Sequence, residues 1–146
     1  MATVVSELQL DEAAFRGRVL GPADAEYDEQ RKIWNGSFDR RPAVIVRCAG
    51  VADVITAVKA ARQSGLAVSV RGGGHSFPGH SVADDAMMID LSPLKGVRVD
   101  PERRTARVQA GVLLGELDRE TQAFGLAVPS GIVTHTGVAG LTLGGG

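Results

Sequence analysis

Three consecutive glycines, Gly72 to Gly74, follow a predicted strand–helix–strand unit and constrain the fold more than any other feature of the sequence. Residues 43–48 are rich in β-branched side chains and predict a strand. Residues 51–64 repeat apolar side chains at helical spacing, and residues 67–71 predict a second strand. Two strands joined by one helix over so short a stretch indicate a parallel βαβ unit and an α/β fold. The glycine run therefore lies at the carboxyl end of a predicted parallel strand.

A glycine run in this place is a candidate phosphate-binding loop, because consecutive glycine N–H groups can converge on an anion with no Cβ in the way. A tight turn without a ligand is the alternative. The dinucleotide pattern G-x-G-x-x-G fails, since the sixth position counted from Gly72 is Phe77. The P-loop pattern fails as well, because no glycine of the run is followed by Lys. Both familiar nucleotide-binding motifs are thereby disfavoured.

Further predicted elements flank this unit. They are a short helix over residues 10–19, a mostly irregular stretch over 27–41, a strand over 87–91, a hairpin that pairs 97–100 with 105–110, and a helix over 112–124 ended by Gly125. Two sets of side chains are expected to face the core from the longer helices: Val51, Val54, Ile55, Val58 and Ala61 in the first, and Leu113, Leu114, Leu117 and Ala123 in the second. Gly65 is the expected C-terminal cap of the first helix.

Composition and charge narrow the functional classes. Hydrophobic residues make up 44% of the chain and charged residues 23%, as in an ordinary globular protein. A net charge of -1 and scattered basic residues give no sign of a nucleic-acid or anionic-membrane partner. The single Cys48 excludes an internal disulfide and a multi-cysteine zinc site, and no His, Asp or Glu grouping has metal spacing. Without a signal-like N-terminus or an apolar run of about 20 residues, we expect a cytoplasmic protein.

Four ordered segments carry a family resemblance. The first is Arg71-Gly72-Gly73-Gly74-His75-Ser76-Phe77-Pro78-Gly79; the others are residues 41–46 with 51–54, residues 88–92, and residues 129–131 continuing through 136–146. Together they resemble the N-terminal part of the FAD-linked oxidases of the vanillyl-alcohol oxidase superfamily, in the berberine-bridge-enzyme-like branch. The resemblance covers residues 33–146 and implies an α/β (α+β) PCMH-type FAD-binding domain. Such a domain has a βαβ start, small mixed sheets, flanking helices and, in this chain, an incomplete second subdomain. Residues 1–40 would be a lead-in and residues 41–146 the domain.

The resemblance implies FAD as cofactor and a set of residues around its ribityl and pyrophosphate chain. These are Arg71, Gly72, Gly73, Gly74, His75, Ser76, Gly79, His80, Gly131, Thr136, Gly137, Gly140, Leu141 and Gly145. His75 would be joined to the flavin 8α-methyl group, since a neutral imidazole nitrogen is a competent nucleophile; a noncovalent contact is the alternative. Many members of the branch add a second bond from a Cys, but Val133 stands at that position here, so one covalent bond is the most that we expect. His135 is interpreted as a turn or hydrogen-bonding residue.

The family's catalytic base and substrate-binding domain belong to a later portion of the chain, so no catalytic residue is assigned here. Asp84 and Asp85 are interpreted as a solvated turn. Because the sequence ends on three glycines after an apolar segment, we expect a fragment of a longer protein, with exposed apolar surface where a substrate domain would follow. The leading hypothesis is the FAD-binding part of an oxidoreductase that moves a hydride from an alcohol or amine carbon to flavin. An FAD-binding module without turnover and a non-flavin phosphate-binding domain are the alternatives.

Overall fold

The computed structural model describes Leu8 and residues 15–144 of the chain. In chain order its elements are β1 Arg18–Leu20, α1 Tyr27–Gln30, β2 Val44–Arg47, α2 Val51–Ser64, β3 Val68–Arg71, β4 Met87–Asp90, β5 Val97–Asp100, β6 Thr105–Val108, α3 Leu114–Gln122 and α4 Val138–Leu143. Of the helices in this part of the chain, none has both the length and the apolar character needed to cross a membrane.

The main sheet has the strand order β1-β2-β4-β3. β2, β4 and β3 run parallel, with Arg47, Asp90 and Arg71 aligned at their carboxyl ends, and β1 pairs antiparallel with β2. The predicted βαβ unit is therefore confirmed, with β4 lying between its two strands. The glycine run starts at the carboxyl end of β3, which is the edge where open α/β sheets bind their ligands.

Both faces of the central strands β2 and β4 are buried, which explains the uninterrupted apolar run of β2, whereas Val68 and Val70 of the edge strand β3 are exposed. Val44 and Val46 face one cluster, where they pack with Met87, Ile89 and the alanines of α2. Ile45 and Met88 face the opposite cluster with Leu20, Tyr27 and Val82. Successive strand residues point to opposite faces, so one apolar run serves two layers.

A hairpin forms a separate two-stranded sheet, and a helix packs beside it. β5 and β6 pair antiparallel, with Val97 opposite Val108 and Asp100 opposite Thr105, as predicted. α3 begins where the Glu116 carboxylate accepts a hydrogen bond from the Leu113 amide at 2.7 Å. Its buried side chains are Leu114, Leu117 and Thr121, whereas the predicted core residue Ala123 is exposed. Gly125 has a φ of +65° and follows the helix, as expected of a C-terminal glycine.

Two predictions about helices are wrong in part. Of the helix predicted over residues 10–19, residues 10–14 lie outside the described residues, and Arg18–Leu20 form β1 instead. Leu20 is buried in this strand because pairing with β2 turns it into the core.

The second error concerns the buried face of α2. The helix and its Gly65 cap, with a φ of +66°, are as predicted, but Val51, Ile55 and Val58 are exposed. The helix buries Ala57 and Ala60 instead, together with the predicted Ala61, and the predicted Val54 packs, partly buried, against the same core. Small side chains let the helix lie close to the sheet, and the Asp53 carboxylate is buried at its first turn, where it accepts a hydrogen bond from the Ala49 amide at 2.7 Å.

Candidate functional site

Two glycine-containing segments meet beside the carboxyl end of β3. We call residues 72–77 the glycine turn and residues 131–144 the second glycine segment. A Cβ built on Gly73 would lie 2.5 Å from the Gly137 Cα, and a Cβ built on Gly137 would lie 2.6 Å from the Gly73 nitrogen. The second glycine segment is held there by α3 and the residues before it, since the Val138 amide donates to the Val112 carbonyl and the Leu114 amide donates to the Thr136 carbonyl, both at 2.9 Å. Only residues without a side chain allow this approach of two backbones.

A cavity of about 590 Å³ opens where the two segments meet. This volume lies within the range of about 300–1,000 Å³ that is usual for cofactor sites. The described residues that line it include no carboxylate, and they come mainly from the glycine turn and the second glycine segment: Val70, Gly72, Gly73, Gly74, His75, Ser76, Phe77, Pro78, His80, Ser81, Thr136, Gly137, Gly140, Leu141 and Gly144.

In the glycine turn, backbone carbonyl groups accept hydrogen bonds from the protein, whereas the amide groups of residues 72–76 donate none to described residues. The Gly74 carbonyl accepts from the Trp34 amide at 3.0 Å, and the Phe77 carbonyl accepts from the Asn35 side-chain amide at 2.8 Å. Among the hydrogen bonds between described residues, none takes its donor from the amides of residues 72–76. Unused amide donors around a cavity without carboxylates suit an anionic group such as a phosphate.

His75 lies in a small aromatic cluster. Its ring stacks on Trp34, with centroids 4.5 Å apart and planes inclined by 28°, and it makes a T-shaped contact with His135, with centroids 4.9 Å apart and planes inclined by 68°. Burial lowers the pKa of His75, and the charge of a protonated His135 would lower it further. The His75 imidazole is therefore biased toward its neutral form, which is the nucleophilic one.

The structure brings most of the predicted site residues to this cavity and leaves a few aside. Arg71 turns away and donates a hydrogen bond to the Gln30 carbonyl. Gly79, with a φ of +74°, backs onto the ring of Phe38, and Gly131 packs near Leu114 and Leu141. Gly145 lies outside the described residues. The predicted residues that line the cavity are Gly72, Gly73, Gly74, His75, Ser76, His80, Thr136, Gly137, Gly140 and Leu141.

Other residues near the site were missed by sequence reasoning. Trp34 and Asn35 belong to a stretch interpreted as mostly irregular, yet they dock onto the glycine turn. His135 lies in a turn, as interpreted, but its contact with His75 was not predicted. Phe77 and Pro78 were inside the quoted motif, which was the available signal for them. The single Trp of the chain was the only hint for Trp34. The predicted domain boundary between residues 40 and 41 stays a prediction, although the contacts of Trp34 and Asn35 with the glycine turn cross it.

Neither Asp84 nor Asp85 contributes to the site. Both are exposed, and the Asp84 carboxylate accepts a hydrogen bond from the Arg41 amide at 2.6 Å. Their interpretation as a solvated turn is confirmed. Within residues 15–144 and Leu8, no cluster of three or more His, Cys, Asp or Glu side chains is arranged to hold a metal ion.

Comparisons with known proteins agree with this geometry. Residues 42–146 match a family model described as an FAD binding domain. (R)-6-hydroxynicotine oxidase from Paenarthrobacter nicotinovorans is 36% identical over 133 residues, which are 91% of this chain and 29% of that protein. The uncharacterized FAD-linked oxidoreductase YgaK from Bacillus subtilis is 36% identical over 137 residues, which are 94% of this chain and 30% of that protein.

Solved structures give the same result. 6-Hydroxy-D-nicotine oxidase from Arthrobacter nicotinovorans superposes with a TM-score of 0.84 and 35% identity, over 87% of this chain and 28% of that one. The berberine-bridge-enzyme-like protein 1 of Physcomitrella patens gives 0.83 and 31%, over 88% and 28%. The chain thus spans about 30% of the length of the relatives it matches. On the family match and these superpositions, the chain belongs to the FAD-binding domain family of the FAD-linked oxidoreductases, of the vanillyl-alcohol oxidase and berberine-bridge-enzyme-like type.

Proposed function

We propose that this chain is the cofactor-binding part of an FAD-dependent oxidoreductase and that it holds FAD in the cavity between the glycine turn and the second glycine segment. The observation that carries the proposal is the row of amide groups at residues 72–76 that donate to no described protein acceptor. Backbone donors of this kind would bind the pyrophosphate. The contact between Gly73 and Gly137 would keep the two walls at a fixed separation.

The residues of the cavity are compatible with FAD. Glycines at residues 72–74, 137 and 140 leave the backbone accessible, and Val70, Phe77, Pro78 and Leu141 supply apolar surface. When bound, FAD supplies the acceptor for a hydride from an alcohol or amine carbon and passes the electrons to oxygen or another acceptor. The protein residues described here bind and orient it.

We also propose that His75 forms one covalent bond to the flavin 8α-methyl group. A methyl C–H bond would break as the N–C bond forms, the methyl and imidazole protons would be released, and the electron pair of the C–H bond would reduce the flavin, which dissolved oxygen would reoxidise. The ring lines the cavity, and burial lowers its pKa, so that a nitrogen lone pair is available at neutral pH. His80 lines the same cavity without the aromatic neighbours of His75. This difference makes His80 the natural control for a test of the bond.

A second candidate is an FAD-binding module without turnover of its own. It is favoured by the described lining of the cavity, which includes no carboxylate that could accept a proton from a substrate. Oxidation of any alcohol or amine by the purified chain, followed as substrate-dependent bleaching of the flavin under argon, would exclude the module. Its absence over a broad substrate panel, with FAD bound, would favour it.

The binding and the bond are tested with one experiment on three proteins. The full chain, His75→Ala and His80→Ala are each incubated with FAD, desalted and then precipitated with acid. We expect all three to be yellow after desalting, with the colour in the pellet for the wild type and His80→Ala, and in the supernatant for His75→Ala. Colour in the wild-type supernatant would refute the proposed covalent bond but not the proposed binding of FAD. A colourless wild type after desalting would overturn the proposed function.

A further inference from the structure

Trp34 is a large aromatic side chain that the core does not explain. The residue is 55% exposed, and it belongs to neither buried cluster of the sheet. Its amide donates to the Gly74 carbonyl, so the residue is anchored one position before His75. The indole then covers one face of the His75 ring at a centroid distance of 4.5 Å.

The His75 ring is held by its aromatic neighbours. No side-chain hydrogen bond to this imidazole occurs among the described residues, whereas Trp34 stacks on it and His135 makes a T-shaped contact with it. Neither of these two is among the described residues that line the cavity, and His75 is. The two rings thus contact the imidazole without being part of the described cavity lining.

We infer that Trp34 is a positioning residue for His75: its stacked indole, together with the steeply inclined ring of His135, holds the imidazole in one orientation at the cavity wall. The inference rests on the proposed bond between His75 and the flavin. An imidazole fixed in this way spends more time in the reactive orientation, which raises the rate of bond formation without changing how tightly FAD first binds. The energy of one aromatic pair corresponds to about a two- to tenfold preference for the held orientation.

The variants separate the aromatic contact from the docking of its segment. Trp34→Ala and Trp34→Leu remove the aromatic face, the second while keeping apolar bulk, and Trp34→Phe retains a ring. Asn35→Ala is the matched control, because Asn35 fastens the same segment to the Phe77 carbonyl through a different bond. A thermal melt of each variant shows that it is folded before any other comparison.

The first measurement needs no flavin. Each full-length variant is produced in a riboflavin-starved host with isotope-labelled histidine, and the side-chain couplings of His75 report its rotamers; the chain has three histidines, and His80→Ala assigns one of them. We expect one rotamer in the wild type, Trp34→Phe and Asn35→Ala, and averaged couplings in Trp34→Ala and Trp34→Leu. A single His75 rotamer in both of the latter, or averaging in Asn35→Ala as well, overturns the inference.

The second measurement follows acid-stable flavin over time after addition of FAD. We expect Trp34→Ala and Trp34→Leu to form it about two- to tenfold more slowly, in line with the aromatic-pair preference, with unchanged FAD affinity, while Trp34→Phe and Asn35→Ala match the wild type. Equal rates in all variants overturn the inference. If even the wild type forms no acid-stable flavin, the proposed covalent bond fails, and the rotamer measurement decides the positioning role by itself.

Discussion

Replacing Gly73 by Ala tests whether the close contact of the two glycine segments builds the cofactor site. The new Cβ would lie 2.5 Å from the Gly137 Cα and 2.6 Å from its nitrogen. Ordinary carbon contacts are about 3.5–4.0 Å, so one segment has to move by about 1 Å. Both contacts are with backbone atoms, which cannot rotate away as a side chain would.

The expected cost follows from this overlap. Overpacking of this kind destabilises a protein by about 1–3 kcal/mol. At about 2–4 °C per kcal/mol for a chain of this size, the melting temperature should fall by roughly 2–12 °C. The displacement also moves the amides of residues 72–76. Losing one hydrogen bond to a charged phosphate, worth about 1.5–3 kcal/mol, weakens FAD binding by about tenfold or more.

Gly36→Ala is the matched control for this substitution. Gly36 is exposed, and a Cβ there would meet nothing within 4 Å. Differential scanning fluorimetry and FAD titration by flavin fluorescence on the wild type and both variants give the comparison. If Gly73→Ala has the same melting temperature and the same FAD affinity as Gly36→Ala, the proposed role of the contact between Gly73 and Gly137 is refuted.

Three further predictions concern single residues. Gly140→Ala places a methyl group in open space within α4, so the free energy of unfolding, measured in urea, should rise by up to about 1 kcal/mol. FAD binding should weaken, because Gly140 lines the cavity. A lower free energy of unfolding or an unchanged FAD affinity would contradict this prediction. Burial and nearby carboxylates raise the pKa of Cys48 to about 12. A thiol reagent at pH 7.5 should therefore label the urea-unfolded chain far faster than the native chain, because the thiolate is the reactive form. Rapid labelling of the native chain would contradict this prediction. His135→Asn removes a charge that depresses the pKa of His75, so an NMR titration should show a higher pKa for His75. A depressed histidine pKa contributes stability that is present above the unfolded pKa of about 6.5 and is lost as the pH falls through the folded pKa. The variant should therefore lose less stability than the wild type between pH 7.5 and 5, and an equal loss would count against the coupling of the two histidines.

Local signals in the sequence predicted the elements that depend on local physics. α2 runs over the predicted residues to its Gly65 cap, because helical periodicity and a left-handed glycine are both encoded within a few positions. The glycine run at the end of β3 was recognisable for the same reason. Its partner segment was identified through the family resemblance, and the structure places Gly137 against Gly73.

Contacts between distant parts of the chain could not be predicted in this way. The insertion of β4 between β2 and β3 is a matter of strand pairing, which a single strand does not encode. The buried face of α2 depends on how closely it approaches the sheet, so alanines form most of that face, and the predicted Val51, Ile55 and Val58 are exposed. Trp34 and His135 reach His75 from segments about 40 and 60 residues away along the chain, and neither segment carries a periodic pattern.

In the proposed function, the backbone amides of the glycine turn bind the pyrophosphate of FAD. An amide-resolved NMR titration of the ¹⁵N-labelled full chain tests it directly, with riboflavin, which has no phosphate, as the comparison ligand. We predict that FAD shifts the amides of Gly72, Gly73, Gly74 and Gly137 strongly, that riboflavin shifts them little, and that Gly36 and Gly125 respond to neither. FAD-induced shifts that avoid residues 72–76, or equal shifts with riboflavin, would contradict the account.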